Sequence, residues 1–302
     1  MASINSDLNV LILTDGRKLA YADYGAQHER VVIFFHGLPS SRLEARLWQD
    51  TANALSIRIV APDRPGLGIS TRHSTRKVVD YPVDVAALVA HLKVTGYAVL
   101  GSSGGGAYAL ACGTRRDMLP GLKAVSVVVG LPPRGLTFEG MSMVQRFSFW
   151  AMDKVPAGAV GWLWDFMVGK TARDPDQSKL RSAVEKSIKA QNGVDAEASK
   201  NDWVIDCMTE ALRGAFAQGP GGYVDDAALA VAPWGFQLDN IKDVNVLMWY
   251  GEKDDIAPAA AGRAMAQRIP GAVLTVYEGE GHSAPCVKHQ AEILRTLSDC
   301  LD

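Results

Sequence analysis

The amino-acid sequence predicts an α/β fold, in which a mostly parallel central sheet is flanked by helices and carries one inserted helical segment. Short apolar runs of strand length alternate with segments of helical spacing up to residue 131, and this alternation resumes after residue 235. Alternation of this kind is typical of a parallel sheet that is covered on both faces. The roughly one hundred residues between the two parts show helical patterns alone.

The first part of the chain contains six apolar runs that predict strands. The first two are joined by Thr14-Asp15-Gly16, a turn signal, so we expect an antiparallel hairpin at one edge of the sheet. Three stretches with helical spacing predict helices between the later strands. The predicted strands are Leu8–Leu13, Lys18–Tyr24, Arg30–Phe35, Arg58–Ala61, Tyr97–Leu100 and Leu122–Val129, and the predicted helices are Leu43–Leu55, Val78–Val94 and Tyr108–Cys112.

The inserted segment begins at Pro132-Pro133 and is rich in Trp, Phe and Met. It lies between two strands of one sheet, so we expect it to fold over the end of that sheet. We therefore divide the chain into a core of residues 1–131 and 236–302 and a helical cap of residues 132–235. The predicted helices of the cap are Met141–Met152, Val160–Met167, Gln177–Lys189 and Ala196–Phe216. The elements predicted after it are the strands Val244–Tyr250 and Val273–Tyr277 and the helices Ala259–Arg268 and Val287–Leu301.

The composition is that of an ordinary globular protein and limits the classes of partner. Of the 302 residues, 48% are hydrophobic and 21% charged, and the formal net charge of −2 provides no basic face for nucleic acid or for a membrane surface. No apolar run approaches the roughly 20 residues that span a bilayer. The first ten residues lack the pattern of a signal peptide, so we expect a cytoplasmic protein. The four cysteines are scattered, without zinc-site spacing, and are expected to be reduced.

The segment Gly101–Gly105 has the pattern G-x-S-x-G between a predicted strand and a predicted helix. A sharp strand-to-helix turn strains its central residue and needs small residues two positions away on each side. Ser103 meets this condition with two glycines, whereas Ser102 would have Leu100 at one of these positions. A phosphate-binding loop or a plain helix cap is the alternative, but the lysine of a P-loop and the G-x-G-x-x-G pattern are missing. We therefore predict that Ser103 is a nucleophile.

A second motif, His36-Gly37-Leu38-Pro39, follows the third predicted strand. A serine that attacks a carbonyl needs hydrogen-bond donors directed at the oxyanion. We expect these donors to be the backbone N–H groups of Gly104 and Leu38. His36 could be mistaken for a catalytic base, but we prefer a supporting role in which it braces this loop, together with Gly37.

Two further motifs follow the last two predicted strands and supply an acid and a base. Asp254 and Asp255 compete for the first role, and the spacing G-x-x-D followed by Pro258 favours Asp254, while Asp255 fits a solvated turn. A carboxylate at this position can orient an imidazole and stabilise its charged form. His282 lies in a glycine-containing loop after the last strand, where a base can meet the other motifs.

Together these motifs resemble the α/β-hydrolase family, in its serine-nucleophile branch with a helical cap. The likeness covers the whole chain except the insertion, where it is only positional. The glycine-rich segment Asp63–Ser70 after the fourth predicted strand also looks like a loop of the family. In the family the nucleophile, acid and base follow one another along the chain, as Ser103, Asp254 and His282 do here.

The resemblance implies acyl chemistry without a cofactor. Epoxide hydrolases and haloalkane dehalogenases of this family carry Asp at the elbow, and Ser103 argues against both. The expected activity is hydrolysis of a carboxylic ester or lactone of an apolar small molecule through an acyl-enzyme. A serine-dependent lyase, C–C hydrolase or acyltransferase, and a receptor-like ligand-binding member, remain as alternatives. The sequence leaves the oligomeric state open.

The composition of the cap is the only indication of the substrate. Its aromatic stretch suits either packing against the sheet or the roof of an apolar pocket. We expect some members to face the pocket and to select the substrate. The residues of this stretch are Phe147, Phe149, Trp150, Trp162, Trp164, Phe166 and Met167.

Overall fold

The computed structural model describes residues 3–191 and 193–302 and contains an eight-stranded sheet in the order β1-β2-β4-β3-β5-β6-β7-β8. β1 pairs with β2 and β2 with β4 in antiparallel fashion, and all other pairs are parallel. The predicted α/β fold and its antiparallel hairpin are confirmed. The strands are β1 (Ser3–Ile12), β2 (Lys18–Ala26), β3 (Val31–Phe35), β4 (Arg58–Pro62), β5 (Tyr97–Ser102), β6 (Leu122–Val128), β7 (Asn245–Gly251) and β8 (Val273–Tyr277).

Helices cover both faces of the sheet because its central strands are apolar on both sides. In β3, Ile33 and Phe35 pack into the core on one face, whereas Val32 and Phe34 belong to the core on the other. In the first part of the chain the helices are α1 (Gln49–Ala54), α2 (Tyr81–His91) and α3 (Gly106–Thr114), and 3-10 turns at Arg42–Trp48, Val78–Asp80 and Ser103–Gly105 precede them.

The residues between β6 and β7, called here the β6–β7 segment, are helical as predicted. Two details of the prediction are wrong. The single helix expected at Ala196–Phe216 is divided into two, since the Asn201 side chain caps a new helix by accepting a hydrogen bond from the Trp203 amide. A last helix was missed, because glycines at its start hide its pattern. The helices are α4 (Met143–Lys154), α5 (Ala157–Trp164), α6 (Lys170–Ala172), α7 (Ser178–Lys189), α8 (Gly193–Ser199), α9 (Asp202–Ala215) and α10 (Gly221–Val231), with a π-helical turn at Asp165–Gly169 between α5 and α6.

The last part of the chain returns to the sheet. It contains α11 (Ala259–Arg268), α12 (Ala284–Lys288) and α13 (Gln290–Asp299). Side chains of α2, α3 and α11 belong to the core on one face of the sheet, and those of α1 and α13 to the core on the other. Across the described ranges, no helix is both long enough and apolar enough to cross a bilayer.

Candidate active site

The carboxyl ends of β3, β5, β7 and β8 lie along one edge of the sheet, because these strands are parallel. Phe35 pairs with Gly101, so the loop that begins at His36 lies beside the turn that follows β5. This register brings together four segments that are far apart in the sequence. The loop after each of these strands carries one of the motifs found in the sequence.

Ser103 is the first residue of the turn between β5 and α3. Its φ of 48° lies in the left-handed region, which residues other than glycine rarely adopt. The glycines around it make this turn possible. A Cβ on Gly101 would clash with the carbonyl of Gly105, and a Cβ on Gly105 would clash with the carbonyl of Phe35. Ser103 is the residue with the strained backbone at this turn, while Ser102 is still part of β5.

Ser103, His282 and Asp254 form a continuous hydrogen-bonded chain. His282 Nε2 is 3.0 Å from Ser103 Oγ, and His282 Nδ1 is 2.7 Å from Asp254 Oδ2. The other oxygen of Asp254 accepts hydrogen bonds from the amides of Ile256 and Ala257, at 2.9 and 2.8 Å. These bonds fix the carboxylate, which can in turn orient the imidazole and stabilise its charged form.

The electrostatics of His282 result from two opposing effects. Burial disfavours the imidazolium, but the Asp254 carboxylate, aided by Asp195 and Glu44, raises the pKa of His282 above its ordinary value. An imidazole of this kind can accept the proton of the serine and hold it as a paired cation.

Asp195 of α8 holds the loop of His282, a contact that the sequence analysis missed. Its carboxylate accepts hydrogen bonds from the amides of His282 (2.7 Å) and Ala284 (2.9 Å), and its side chain is buried. The β6–β7 segment therefore contacts the backbone of the histidine directly. No local motif marks Asp195, because its partners are almost ninety residues away in the chain.

Leu38 and Gly104, whose amides are the two predicted oxyanion donors, lie next to each other in space although they are far apart in the sequence. A Cβ on Gly104 would stand 2.8 Å from Leu38 Cβ and 3.5 Å from Leu38 N. The neighbouring Gly37 is fixed at both of its polar groups: its amide donates to Glu44 Oε2 (2.8 Å), and its carbonyl accepts from Arg64 Nη2 (2.8 Å). Backbone donors in so rigid a loop can stabilise negative charge without reorganisation.

Among the hydrogen bonds of the described residues, the two that the His36 ring makes are both to backbone atoms. Its Nδ1 lies 3.0 Å from the carbonyl of Gly37, and its Nε2 accepts from the amide of Arg64 at 3.3 Å. Burial, with the nearby Arg64 guanidinium, lowers the pKa of His36 well below its ordinary value. The neutral ring therefore links the loops after β3 and β4.

A cavity of about 520 Å³ extends from Ser103 and His282 beneath the β6–β7 segment. Two helices contribute apolar residues to its lining that recur at every fourth position and therefore share one face of each helix. These residues are Leu180, Val184 and Ile188 of α7 and Val204, Met208 and Leu212 of α9. Such a cavity suits a small apolar molecule.

The aromatic stretch contributes less to the cavity than the sequence suggested. Only Trp164 and Met167 of that stretch line it, and Phe149 packs against the main core. The other four aromatic side chains are more than half exposed. We expected the stretch to pack against the sheet or to cover the pocket, and for these four residues that expectation is wrong. They are Phe147, Trp150, Trp162 and Phe166.

The model of the Alpha/beta hydrolase family matches residues 32–296. The chain is 27% identical over 281 residues to a non-heme chloroperoxidase of Streptomyces lividans. This match covers 91% of this chain and 93% of the chloroperoxidase. It is 34% identical over 120 residues to a bifunctional esterase/perhydrolase of Acinetobacter calcoaceticus, covering 39% and 43% of the two chains. Its structure resembles an enol-lactonase from Burkholderia xenovorans LB400 with a TM-score of 0.67, at 18% identity, over 97% of this chain and 99% of the other. The chain belongs to the alpha/beta hydrolase family, and it is a hydrolase.

Proposed function

We propose that this protein is a serine hydrolase that cleaves a carboxylic ester or lactone of an apolar small molecule. The observation that carries the proposal is the hydrogen-bonded chain of Ser103, His282 and Asp254 at one end of an apolar cavity. In this proposal Ser103 is the nucleophile, His282 the base and Asp254 the acid. Leu38 and Gly104 supply the oxyanion donors.

The reaction begins when Ser103 Oγ attacks the carbonyl carbon of the ester and its proton passes to His282 Nε2. The amides of Leu38 and Gly104 stabilise the oxyanion of the tetrahedral intermediate. His282 then gives the proton to the leaving alcohol, and an acyl-enzyme remains on Ser103. A water molecule, deprotonated by His282, attacks the acyl carbon, and the carboxylic acid is released as the bond to Ser103 Oγ breaks and His282 returns the proton to that oxygen.

In the same proposal, residues 132–235 act as a cap on a core made of residues 1–131 and 236–302. The apolar faces of α7 and α9 support this division, because they are directed at the cavity. A roof of this kind keeps bulk water from the acyl-enzyme and holds the apolar part of the substrate.

Labelling with a fluorophosphonate probe tests the nucleophile. The wild-type protein and Ser102→Ala should be labelled, and Ser103→Ala should not, because Ser103 Oγ is hydrogen-bonded to His282, whereas Ser102 Oγ lies beside Cys286 Sγ. Hydrolysis of p-nitrophenyl esters should follow the same order, with a loss of about 10⁴-fold or more in kcat/KM for Ser103→Ala. Labelling that persists in Ser103→Ala but disappears in Ser102→Ala would contradict the proposed nucleophile.

A second candidate function is perhydrolysis, favoured by the similarity to the chloroperoxidase and to the esterase/perhydrolase. Here hydrogen peroxide replaces water as the attacking molecule, and the acyl-enzyme is released as a peracid while Ser103 regains its proton. Product analysis of ester turnover with and without hydrogen peroxide distinguishes the two. Peracid formation that depends on Ser103 supports the second function, whereas carboxylic acid alone supports simple hydrolysis.

A further inference from the structure

Glu44, in the 3-10 turn after β3, places a carboxyl group in the wall of the cavity close to Ser103. The position that a Cβ would take on Gly37 is 3.3 Å from Glu44 Oε2 and 3.6 Å from Ser103 Cβ, so the carboxyl and the serine flank the same small space. Glu44 lines the cavity, and only 7% of its surface remains exposed. The mechanism proposed above does not use this side chain.

Support of the oxyanion loop does not fully account for this carboxyl group. The amide of Gly37 occupies one position on one oxygen, whereas a carboxyl group offers about four acceptor positions. The two neighbouring arginines are paired elsewhere, Arg42 with Asp63 at 2.6 Å and Arg64 with Asp226 at 2.7 Å. Burial raises the pKa of Glu44, although the nearby Ser40 hydroxyl, the Gly37 amide and the Ser102 hydroxyl oppose the shift by hydrogen bonding to the carboxyl group, which leaves about one acceptor position open. A buried carboxyl group with unused acceptor positions is costly unless a polar partner reaches it.

Ser40 provides a second polar group in the same wall. Its side chain is buried, and among the described residues its hydroxyl has no hydrogen-bond partner of good geometry, although it is near enough to the Glu44 carboxyl to lower its pKa. Ser102 Oγ, which also lines the cavity, is 3.5 Å from Cys286 Sγ. The cavity therefore has a polar end beside the nucleophile and apolar walls beyond it.

We propose that Glu44 and Ser40 form a polar subsite that binds a hydroxyl group of the substrate, so that preferred substrates are esters with a hydroxyl close to the ester bond. A hydroxyl can donate to the free acceptor position of Glu44 and accept from Ser40, which satisfies both side chains. Apolar walls select the remainder of the molecule. This inference rests on the proposed ester hydrolysis and adds a substrate class to it.

Two pairs of esters test the subsite, one for each side of the ester bond. p-Nitrophenyl 3-hydroxybutyrate, as separate enantiomers, is compared with p-nitrophenyl butyrate, and 2-hydroxyethyl butyrate is compared with propyl butyrate. In the wild-type protein we expect the hydroxylated member of at least one pair to have a kcat/KM about tenfold higher. Glu44→Gln should abolish that ratio, because its amide oxygen can still accept from Gly37 while its NH₂ group replaces an acceptor.

Glu29→Gln is the matched control, because Glu29 is exposed in the loop before β3, at the end of that strand away from the site. This variant should have the same ratio of kcat/KM between the hydroxylated and the plain ester as the wild type. If Glu44→Gln does not fold, Ser40→Ala is measured instead and should lower the same ratio. A wild-type ratio near one in both pairs, or a ratio that survives in the variant, overturns the subsite. Turnover of plain butyrate esters that does not depend on Ser103 contradicts the proposed function itself, so the two failures are distinguishable.

Discussion

Asp254 and Asp255 are adjacent in the chain, yet their carboxyl groups have different surroundings. Asp254 is buried against His282, whereas Asp255 is exposed. Asp254→Asn should therefore lower kcat by about 10⁴-fold, because an amide cannot support the same tautomer and charge of the imidazole. Asp255→Asn should change it less than about threefold. Steady-state kinetics on one ester, with thermal melts to verify folding, measure both; small and equal losses would place the acid elsewhere.

The pH dependence of activity follows from His282. The imidazole must be neutral to accept the serine proton, so kcat/KM should fall as the pH decreases through the pKa of His282. Against the cost of burial, Asp254, Asp195 and Glu44 raise that pKa, so the acid limb should have its midpoint above the ordinary value of 6.5. A pH–rate profile on a neutral ester measures it. Activity that is unchanged down to pH 4 in the folded protein would exclude His282 as the base.

Individual residues were predictable from the sequence where their requirements are local. The elbow needs glycines two positions from Ser103, and that spacing is visible in the sequence. The contacts of Glu44 and Asp195 are different, because Glu44 accepts a hydrogen bond from the backbone amide of Gly37, and Asp195 accepts two from backbone amides almost ninety residues away. A backbone amide leaves no trace in the sequence, so these two residues could not be found from the pattern.

At the scale of elements, the Asp195 carboxylate joins α8 to the loop that carries His282. Asp195→Asn keeps an oxygen that can accept from one of the two amides, but it removes the negative charge of Asp195. In the wild type this charge helps to raise the pKa of His282. The acid limb of kcat/KM should consequently move to lower pH, and kcat should fall by about tenfold as the imidazole loses its fixed position.

The exposed carboxylate Asp206 of α9 provides a matched control. Asp206→Asn should leave the midpoint of the acid limb of kcat/KM unchanged. A variant of Asp195 with reduced kcat but an unshifted limb would show that this residue only stabilises the fold.

Helical spacing explains why the β6–β7 segment was only partly predicted. It identifies the apolar face of a helix, as it does for α7 and α9, but not what that face contacts. The apolar faces of α7 and α9 are directed at the cavity, while much of the aromatic stretch is exposed. The division of the predicted helix at Ala196–Phe216 depends on the cap formed by Asn201, a polar residue that the apolar spacing does not include.

At the scale of the whole molecule, a buried cluster around Asp226 of α10 is one of the contacts between the β6–β7 segment and the core. Its carboxylate accepts hydrogen bonds from Arg64 (2.7 Å), Arg76 (2.9 Å) and the Tyr108 hydroxyl (2.5 Å), and all four side chains are buried. Arg64 also donates to the carbonyl of Gly37. One ionic cluster therefore ties the segment to the core and fixes the oxyanion loop.

Removing the charge of Asp226 should destabilise the protein strongly, because Asp226→Asn leaves two buried guanidinium groups without a counter-ion. The expected loss in the free energy of unfolding is about 3–5 kcal/mol. Burial opposes ionisation of Asp226, but Arg64 and Arg76 lower its pKa to about 2. Since the folded pKa lies below the unfolded value of about 3.9, this stabilisation is complete above pH 4 and is lost as the pH falls towards 2.

Asp225→Asn is the matched control, since the neighbouring Asp225 pairs with the half-exposed Arg72 at 2.7 Å and should contribute less than about 1 kcal/mol. Urea denaturation of both variants and the wild type, at pH 7 and pH 3, measures the differences. The difference in the free energy of unfolding between the wild type and Asp226→Asn should be smaller at pH 3 than at pH 7. The corresponding difference for Asp225→Asn should be small at both pH values. Similar losses for the two variants at pH 7 would mean that the buried arginines do not depend on Asp226, and that another contact holds the segment on the core.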